Sequence, residues 1–276
     1  MSEPFTAVLS GGGVKAAAHL GALKVLEQGG LRPTRYVGTS MGAVIATGLA
    51  AGMTCDEVAA ELSGLKPREV FALDRSALIR GMWARAILRP EPFRRTLERL
   101  LPVASFSELR LPLTITATDL DSGRQLFFGA GGEEVTLIDA LCAACALPLY
   151  FPPFLLGGRR CADGGLTAVV PLAAAARFPA ALVVAVDVGP GADMEPSLSR
   201  PRPPALLRLA GDAQQALMAQ NTILTRALWE ATPGRPPLLW IRPRVRYGET
   251  FAADQLAWYL EEGARAASAA LAAWRA

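Results

Sequence analysis

The chain of 276 residues is poor in histidine, lysine and cysteine. Its single histidine is His19, and its four cysteines lie far apart or within apolar runs. Cys142 and Cys145 form a C-x-x-C pair that lacks partners for a zinc site, since the other two cysteines are isolated and the histidine is far off in sequence. We therefore expect both thiols to pack in the core of a cytoplasmic protein that uses neither a metal nor a cofactor.

Long uninterrupted apolar segments are also missing. The two longest uncharged runs, residues 36–55 and 140–158, are broken by glycines and prolines respectively, so we expect neither to cross a membrane. The N-terminus lacks the basic and apolar regions of a signal peptide. Basic residues are mostly arginine and form no dense run with interleaved aromatic residues, which argues against a nucleic-acid partner. Any contact with a membrane is therefore expected to be peripheral.

Hydrophobic residues, by contrast, make up 51% of the chain, enough for a large buried core. Short apolar strands alternate with helical segments, beginning with a strand at 5–9, a glycine loop and a helix at 14–28. Another buried strand is predicted at 180–186. This alternation predicts an α/β fold with a mostly parallel sheet, in one domain over residues 5–276. Residues 189–276 are expected to add the C-terminal helices and one strand.

Residues 66–101 give irregular signals. A helical stripe that includes Met82 and Trp83 lies beside arginines, and a second apolar helical face follows at residues 93–101. One interpretation is ordinary surface helices packed on the sheet. The other is a cap or lid that faces lipid, since a tryptophan among arginines suits a membrane interface.

The pentapeptide Gly38-Thr39-Ser40-Met41-Gly42 joins an apolar strand to an alanine-rich helix. Its glycines allow a sharp strand-to-helix turn in which neighbouring Cβ atoms would clash. The serine hydroxyl would then lie at a helix N-terminus, where the helix dipole favours developing negative charge. The pentapeptide alone fits a glycine-rich turn with a helix-capping serine equally well.

A second glycine-rich turn, Gly11-Gly12-Gly13, follows the first strand and precedes Lys15. A dinucleotide site would need an acidic residue near the end of the second strand, and a P-loop would need Gly-Lys-Ser/Thr; the chain has neither there. The N–H groups of the loop instead suit an oxyanion hole. We assign Lys15 to shaping this loop, because a helix N-terminus offers no obvious apolar pocket that would make it a neutral base. In a parallel sheet, both glycine turns lie at the carboxyl edge.

A serine nucleophile needs a base, and His19 precedes Ser40, which excludes the Ser–Asp–His order of an α/β-hydrolase. His19 is therefore expected to be a packed or capping residue. Asp163, followed by Gly164 and Gly165, lies between apolar segments. Partial burial would raise the pKa of Asp163, and a hydrogen bond to Ser40 would align proton transfer. Asp163 alone also fits an ordinary Asp-Gly turn.

Taken in this order, the motifs at 11–15, 38–42 and 163–165 resemble those of the patatin-like phospholipase family. The resemblance covers about residues 5–190 and looks like a small bacterial member. It implies a three-layer α/β sandwich with a central, mostly parallel sheet. The family's serine–aspartate pair falls on Ser40 and Asp163, and its oxyanion loop falls on Gly11, Gly12 and Gly13. The residues expected to support them are Lys15, Gly38, Met41, Gly42, Gly164 and Gly165.

Two positions depart from the family pattern. Ala16 stands where the family usually has a glycine, and residues 166–171 lack the asparagine that often precedes the proline. Neither touches the predicted serine–aspartate pair. They bear on loop shape and on the fit of the substrate.

The resemblance implies hydrolysis of acyl esters in lipids through an acyl-serine intermediate. Two alternatives stay open at this point. One is a regulatory protein with little turnover that binds a membrane or a partner through residues 66–101. The other is an acyltransferase with an acceptor other than water. Head-group preference and oligomeric state do not follow from the sequence.

Overall fold

The computed structural model describes residues 3–66, 70–74, 86–191, 205–246 and 255–276, except for the side chains of residues 206 and 207. The described strands are β1 (Glu3–Leu9), β2 (Leu31–Thr39), β3 (Leu113–Asp119), β4 (Gln125–Gly129), β5 (Phe154–Leu156), β6 (Arg159–Asp163), β7 (Val183–Val186) and β8 (Leu238–Ile241). The described α-helices are α1 (Ala17–Gln28), α2 (Met41–Ala50), α3 (Cys55–Gly64), α4 (Pro90–Leu100), α5 (Leu137–Ala144), α6 (Leu172–Ala175), α7 (Ala205–Ala231) and α8 (Leu256–Arg275).

The strands form one sheet in the order β5-β6-β3-β2-β1-β7-β8, and β4 pairs with β3. Strands β1, β2, β3, β7 and β8 run parallel to their neighbours within this group. Strands β4 and β6 are antiparallel to β3, and β5 is antiparallel to β6. The predicted α/β fold with a mostly parallel sheet is confirmed.

Helices cover both faces of the sheet. Alternate residues of β1 point to opposite sides: Ala7 and Leu9 join the larger core with α1, α2, α3, α5 and α8. Val8 joins a second core with α6 and with Trp229 of α7. The molecule is therefore a three-layer sandwich, as the family resemblance implies.

Helices α1 and α8 cross in close contact on the first of these faces. A Cβ atom at Gly21 would lie 1.9 Å from the carbonyl oxygen of Leu260, and one at Gly263 would lie 1.9 Å from that of Ala18. Glycine at both positions lets the two backbones touch. This contact holds the C-terminal helix against the helix that follows the glycine loop.

Several boundaries differ from the sequence-based expectations. A 3₁₀ turn, Gly13–Ala16, precedes α1, so the predicted helix at 14–28 begins later as an α-helix. The segment at 148–158, whose prolines give no strand signal in the sequence, contains β5, which pairs with β6. The stripe that includes Met82 and Trp83 lies outside the described residues.

The pairing along β3 positions the candidate site. One edge of β3 pairs with β4, and the other edge is shared by two strands: residues 113–116 pair with β2, and residues 117–119 pair with β6. Since β2 and β6 run in opposite directions, their last residues, Thr39 and Asp163, pair with the consecutive residues Thr116 and Ala117. The end of β6 therefore lies next to the turn that follows β2.

Candidate active site

Ser40 lies at the sharp turn between β2 and α2. Its backbone has φ +53° and ψ −132°, a region that residues other than glycine rarely occupy. A Cβ atom at Gly38 would lie 2.5 Å from Ala43 Cα, and one at Gly42 would lie 2.4 Å from the carbonyl oxygen of Ser10. The pentapeptide therefore needs both glycines to form this turn, as its sequence predicts.

The Ser40 hydroxyl donates a hydrogen bond to Asp163 Oδ2 at 2.6 Å. Ser40 is the N-cap residue of α2, but its side chain makes no capping hydrogen bond, so the interpretation of its hydroxyl as a helix cap is wrong. The other carboxylate oxygen of Asp163 accepts from the Gly165 N–H at 2.8 Å. Asp163 thus belongs to an Asp-Gly turn through Oδ1 while Oδ2 faces the serine. Two residues 123 positions apart form a hydrogen-bonded pair of the kind that a nucleophile and its base require.

The electrostatic environment of Asp163 favours a proton acceptor that titrates in the mildly acidic range. Burial raises the pKa of Asp163 from 3.8 to about 6, and the hydrogen bonds from Ser40 and the Gly165 N–H oppose this rise. A carboxylate with this pKa is ionised at neutral pH and is a stronger base than an exposed one.

The backbone around Asp163 is fixed on several sides. Its N–H donates to the carbonyl oxygen of Ala146 at 3.0 Å, and its own carbonyl oxygen accepts from Thr118 Oγ1 at 2.9 Å. A Cβ atom at Gly164 would lie 2.4 Å from the carbonyl oxygen of Thr116. These contacts hold the carboxylate at one distance from Ser40.

The glycine loop lies beside Ser40. A Cβ atom at Gly11 would lie 3.2 Å from Ser40 Cβ, and one at Gly12 would lie 2.6 Å from Val188 Cγ2. The Gly11 N–H donates to the carbonyl oxygen of Val169 at 3.1 Å. That donor is therefore used within the protein, in contrast to the expectation that all three glycines present their N–H groups to a substrate.

Lys15 and Met41 border the same space as the loop. Lys15 is buried, although a helix N-terminus was expected to offer it no apolar surroundings. The difference arises because the 3₁₀ turn that carries Lys15 packs against α2 and α8. Met41 is the first residue of α2, so the positive end of that helix dipole lies next to Ser40.

A pocket with a volume of about 260 Å³ opens above Ser40 and Asp163. Its wall is mostly apolar, and Lys15 and Asp163 are the charged residues among the described side chains that line it. Residues 70, 71 and 87 and four side chains of α4 contribute to the wall. The region at 66–101 therefore borders the site, and its action as a lid stays a prediction.

The sequence does not predict two groups of residues that line the pocket. Cys145, assigned above to core packing, is buried but also borders the pocket. Burial raises the pKa of its thiol well above the ordinary value, and the charge of Asp163 adds to this effect, so the thiol stays neutral. On α7, Gly211, Gln214, Gln215 and Met218 line the pocket. Their spacing places them on one helical face, but nothing in that pattern points to a site.

Neither a metal centre nor a membrane span is found among the residues that the structure describes. No group of three or more histidine, cysteine, aspartate or glutamate side chains in these ranges could hold a metal ion. Likewise, none of the described helices has the length and hydropathy to cross a bilayer.

The sequence and the fold were compared with known proteins. The sequence model of the patatin-like phospholipase family matches residues 7–176. An uncharacterised NTE family protein of Mycobacterium bovis is 32% identical over 204 residues, which cover 72% of this chain and 54% of that protein. A cGAMP-activated phospholipase of Escherichia coli is 32% identical over 143 residues, which cover 48% of this chain and 40% of that protein.

The chain thus spans about half the length of the first of these relatives. Among solved structures, VipD from Legionella pneumophila is similar with a TM-score of 0.49 and 14% identity, over 99% of this chain and 67% of that chain.

Proposed function

Since the chain belongs to the patatin-like phospholipase family, we propose that it is a serine hydrolase that cleaves acyl esters of lipids. The observation that carries this proposal is the 2.6 Å hydrogen bond from Ser40 to the buried Asp163. Support comes from the glycine loop beside Ser40 and from the apolar pocket above it, which suits an acyl chain.

In the proposed reaction, Ser40 Oγ attacks the ester carbonyl carbon while its proton passes to Asp163 Oδ2. The N–H groups of Gly12, Gly13 and Met41 stabilise the oxyanion, with Gly11 allowing the loop to approach Ser40. Asp163 then gives the proton to the leaving alcohol, and an acyl-Ser40 intermediate remains. Water attacks this ester, Asp163 takes its proton, and the carboxylic acid leaves as Ser40 regains its hydroxyl proton.

The proposal is tested by treating the protein with a fluorophosphonate and measuring intact mass for wild type, Ser40→Ala and Asp163→Asn. We expect one adduct on wild type, none on Ser40→Ala and greatly slowed labelling of Asp163→Asn. An unlabelled wild type, or equal labelling of Ser40→Ala, contradicts a nucleophilic Ser40.

Turnover assays separate hydrolysis from the two alternatives. Release of fatty acid from phospholipid vesicles supports a lipid hydrolase. Turnover of short p-nitrophenyl esters alone would support the serine mechanism but exclude phospholipid as the substrate. Labelling without turnover indicates a binding or regulatory protein. Acyl products on an added alcohol in place of free acid indicate an acyltransferase.

The proposed substrate also requires contact with a lipid surface. Helix α7 lines the pocket through Gln214 and Met218, and its neighbouring face exposes Leu217, Leu224 and Leu228. An exposed apolar face beside the pocket suits a peripheral contact from which a lipid enters the site.

A further inference from the structure

The single histidine has no part in the proposed reaction, yet it lies close to the site. His19 is in the first turn of α1 and is completely buried. Its Nε2 lies 2.9 Å from the carbonyl oxygen of Ser10, the residue that immediately precedes the glycine loop. The expectation of a packed residue is correct, but packing alone does not explain this bond.

The hydrogen bond determines which nitrogen of His19 carries the proton. A carbonyl oxygen only accepts, so Nε2 must donate, and in a neutral ring Nδ1 is then an unprotonated acceptor. Nδ1 is buried, and nothing in the described part of the chain donates to it. Burial lowers the pKa of His19 to about 4, so the ring is neutral at neutral pH.

A buried acceptor without a donor is costly, and a leucine in its place would carry no such nitrogen. What histidine provides here that an apolar side chain does not is the single Nε2–H donor. Because buried polar atoms in folded proteins normally have hydrogen-bond partners, a residue that buries one without a donor calls for a functional explanation.

Ser10 connects that donor to the site. Its hydroxyl oxygen accepts from the Val188 N–H at 2.8 Å, and its N–H donates to the carbonyl oxygen of Val186 at 3.2 Å. Its carbonyl oxygen also lies against the turn of the proposed nucleophile, since a Cβ atom at Gly42 would lie 2.4 Å away. A shift of Ser10 would therefore move the glycine loop relative to Ser40.

We propose that His19 is a positioning residue that fixes the Ser10 carbonyl through its Nε2–H donor and so holds the glycine loop at the proper distance from Ser40. This inference rests on the proposed function, because the loop is positioned for an oxyanion only if Ser40 attacks an ester. It assigns His19 a role through Ser10 and the loop, without contact to substrate.

Two variants of His19 separate the effect of the Nε2–H donor from the effect of side-chain packing. In His19→Gln, the side-chain amide nitrogen takes the place of Nε2 and can still donate to Ser10, whereas His19→Leu fills the space without a donor. We expect His19→Leu to lower kcat about 10- to 100-fold on a short ester with little change in KM, the size of effect that a small misplacement of catalytic groups produces. We expect His19→Gln to recover most of that loss.

Thermal unfolding of both variants controls for stability. Wild-type kcat in a folded His19→Leu, or equal losses in both variants, overturns the proposal.

A second measurement needs no variant. Because the chain has one histidine, ¹⁵N labelling of histidine gives one assignable imidazole spectrum. We expect the neutral Nε2–H form at pH 7 and a shift of the Nε2 resonance when Ser40 carries a phosphonate. An Nδ1–H or charged ring, or an unchanged spectrum on the adduct, contradicts the inference. If the wild type is not labelled at all, the proposed function fails instead, and the ring form still reports on the Ser10 bond.

Discussion

Asp163 is a buried carboxylate whose pKa is raised to about 6 by that burial. The proposed base must be ionised to accept the Ser40 proton. We therefore predict that kcat/KM on a short ester is level near neutral pH and falls about tenfold per pH unit below pH 6. A rate profile from pH 4.5 to 8 checks this, and an acidic limb at a pKa near 4 would show that Asp163 is not the titrating group.

The same shift makes the stability of the fold depend on pH. Because the folded pKa of Asp163 lies above the unfolded value of 3.8, its contribution to stability is complete below pH 3.8 and is lost as the pH rises through 6. Relative to wild type, Asp163→Asn should gain about 2 kcal/mol of unfolding free energy between pH 4 and pH 7. Denaturant unfolding of both proteins at each pH measures that difference, and a constant difference contradicts it.

His19 makes the stability of the fold depend on pH in the opposite direction to Asp163. Its folded pKa of about 4 lies below the unfolded value of 6.5, so the stability it contributes is complete above pH 6.5 and is lost as the pH falls toward 4. The two groups therefore offset each other in wild type between pH 4 and pH 6. Comparing Asp163→Asn with wild type at each pH cancels the contribution of His19.

Ser40 combines an unfavourable backbone conformation with its proposed catalytic role. With φ at +53°, the position favours glycine. We predict that Ser40→Gly is more stable than Ser40→Ala by about 1 kcal/mol or more, because only glycine relieves the strain, while both variants lose activity. Denaturant unfolding of the two variants measures this difference in stability. Equal unfolding midpoints would contradict the prediction.

The sequence alone identifies some of the residues at the site and misses others. Ser40 and Asp163 are identified by residue type and motif, since glycines and the missing downstream histidine constrain the chemistry. The engagement of the Gly11 N–H by Val169 and the contact of His19 with Ser10 depend on backbone positions that no local pattern encodes. Cys145 lies in an apolar run that predicts burial but not proximity to a pocket.

At the scale of elements, hydrophobic alternation is sufficient to predict the parallel strands and the main helices. It does not predict β5, because prolines dominate the surrounding segment and the strand has only three residues. It also does not predict that β2 and β6 share one edge of β3, since that arrangement arises from long-range pairing. In the sequence, only the order of the three motifs along the chain indicates that Ser40 and Asp163 belong together.

The crossing of α1 and α8 gives a prediction at this scale. We predict that Gly21→Ala and Gly263→Ala each destabilise the fold by several kcal/mol, because the added methyl group would collide with a backbone carbonyl of the other helix. Gly211→Ala on α7 is the matched control: no atom of the described residues lies within 4 Å of its Cβ position, and alanine should gain up to about 1 kcal/mol from helix propensity. Denaturant unfolding of the three variants compares them, and similar stabilities would show that the helices separate at little cost.

The proposed contact of the whole molecule with a lipid surface is tested by substituting exposed leucines on α7. The triple variant Leu217→Gln, Leu224→Gln, Leu228→Gln should bind phospholipid vesicles more weakly in a sedimentation assay and cleave vesicle substrate more slowly. Its hydrolysis of a dissolved short ester should stay at the wild-type level, since none of the three side chains lines the pocket. Leu155→Gln, which replaces an equally exposed leucine on β5, serves as the control. Undiminished vesicle binding by the triple variant would remove α7 as the contact.

The shared edge of β3 also determines when Ser40 and Asp163 can meet as the chain folds. Ser40 and its helix can form as soon as β1 and β2 have paired, but Asp163 arrives 123 residues later, after β3 is in place. A growing polypeptide that ends before β6 therefore carries Ser40 without its proposed base. The hydrogen-bonded pair forms only when both β2 and β6 have docked on β3, so its appearance reports that three strands distant in sequence have come together.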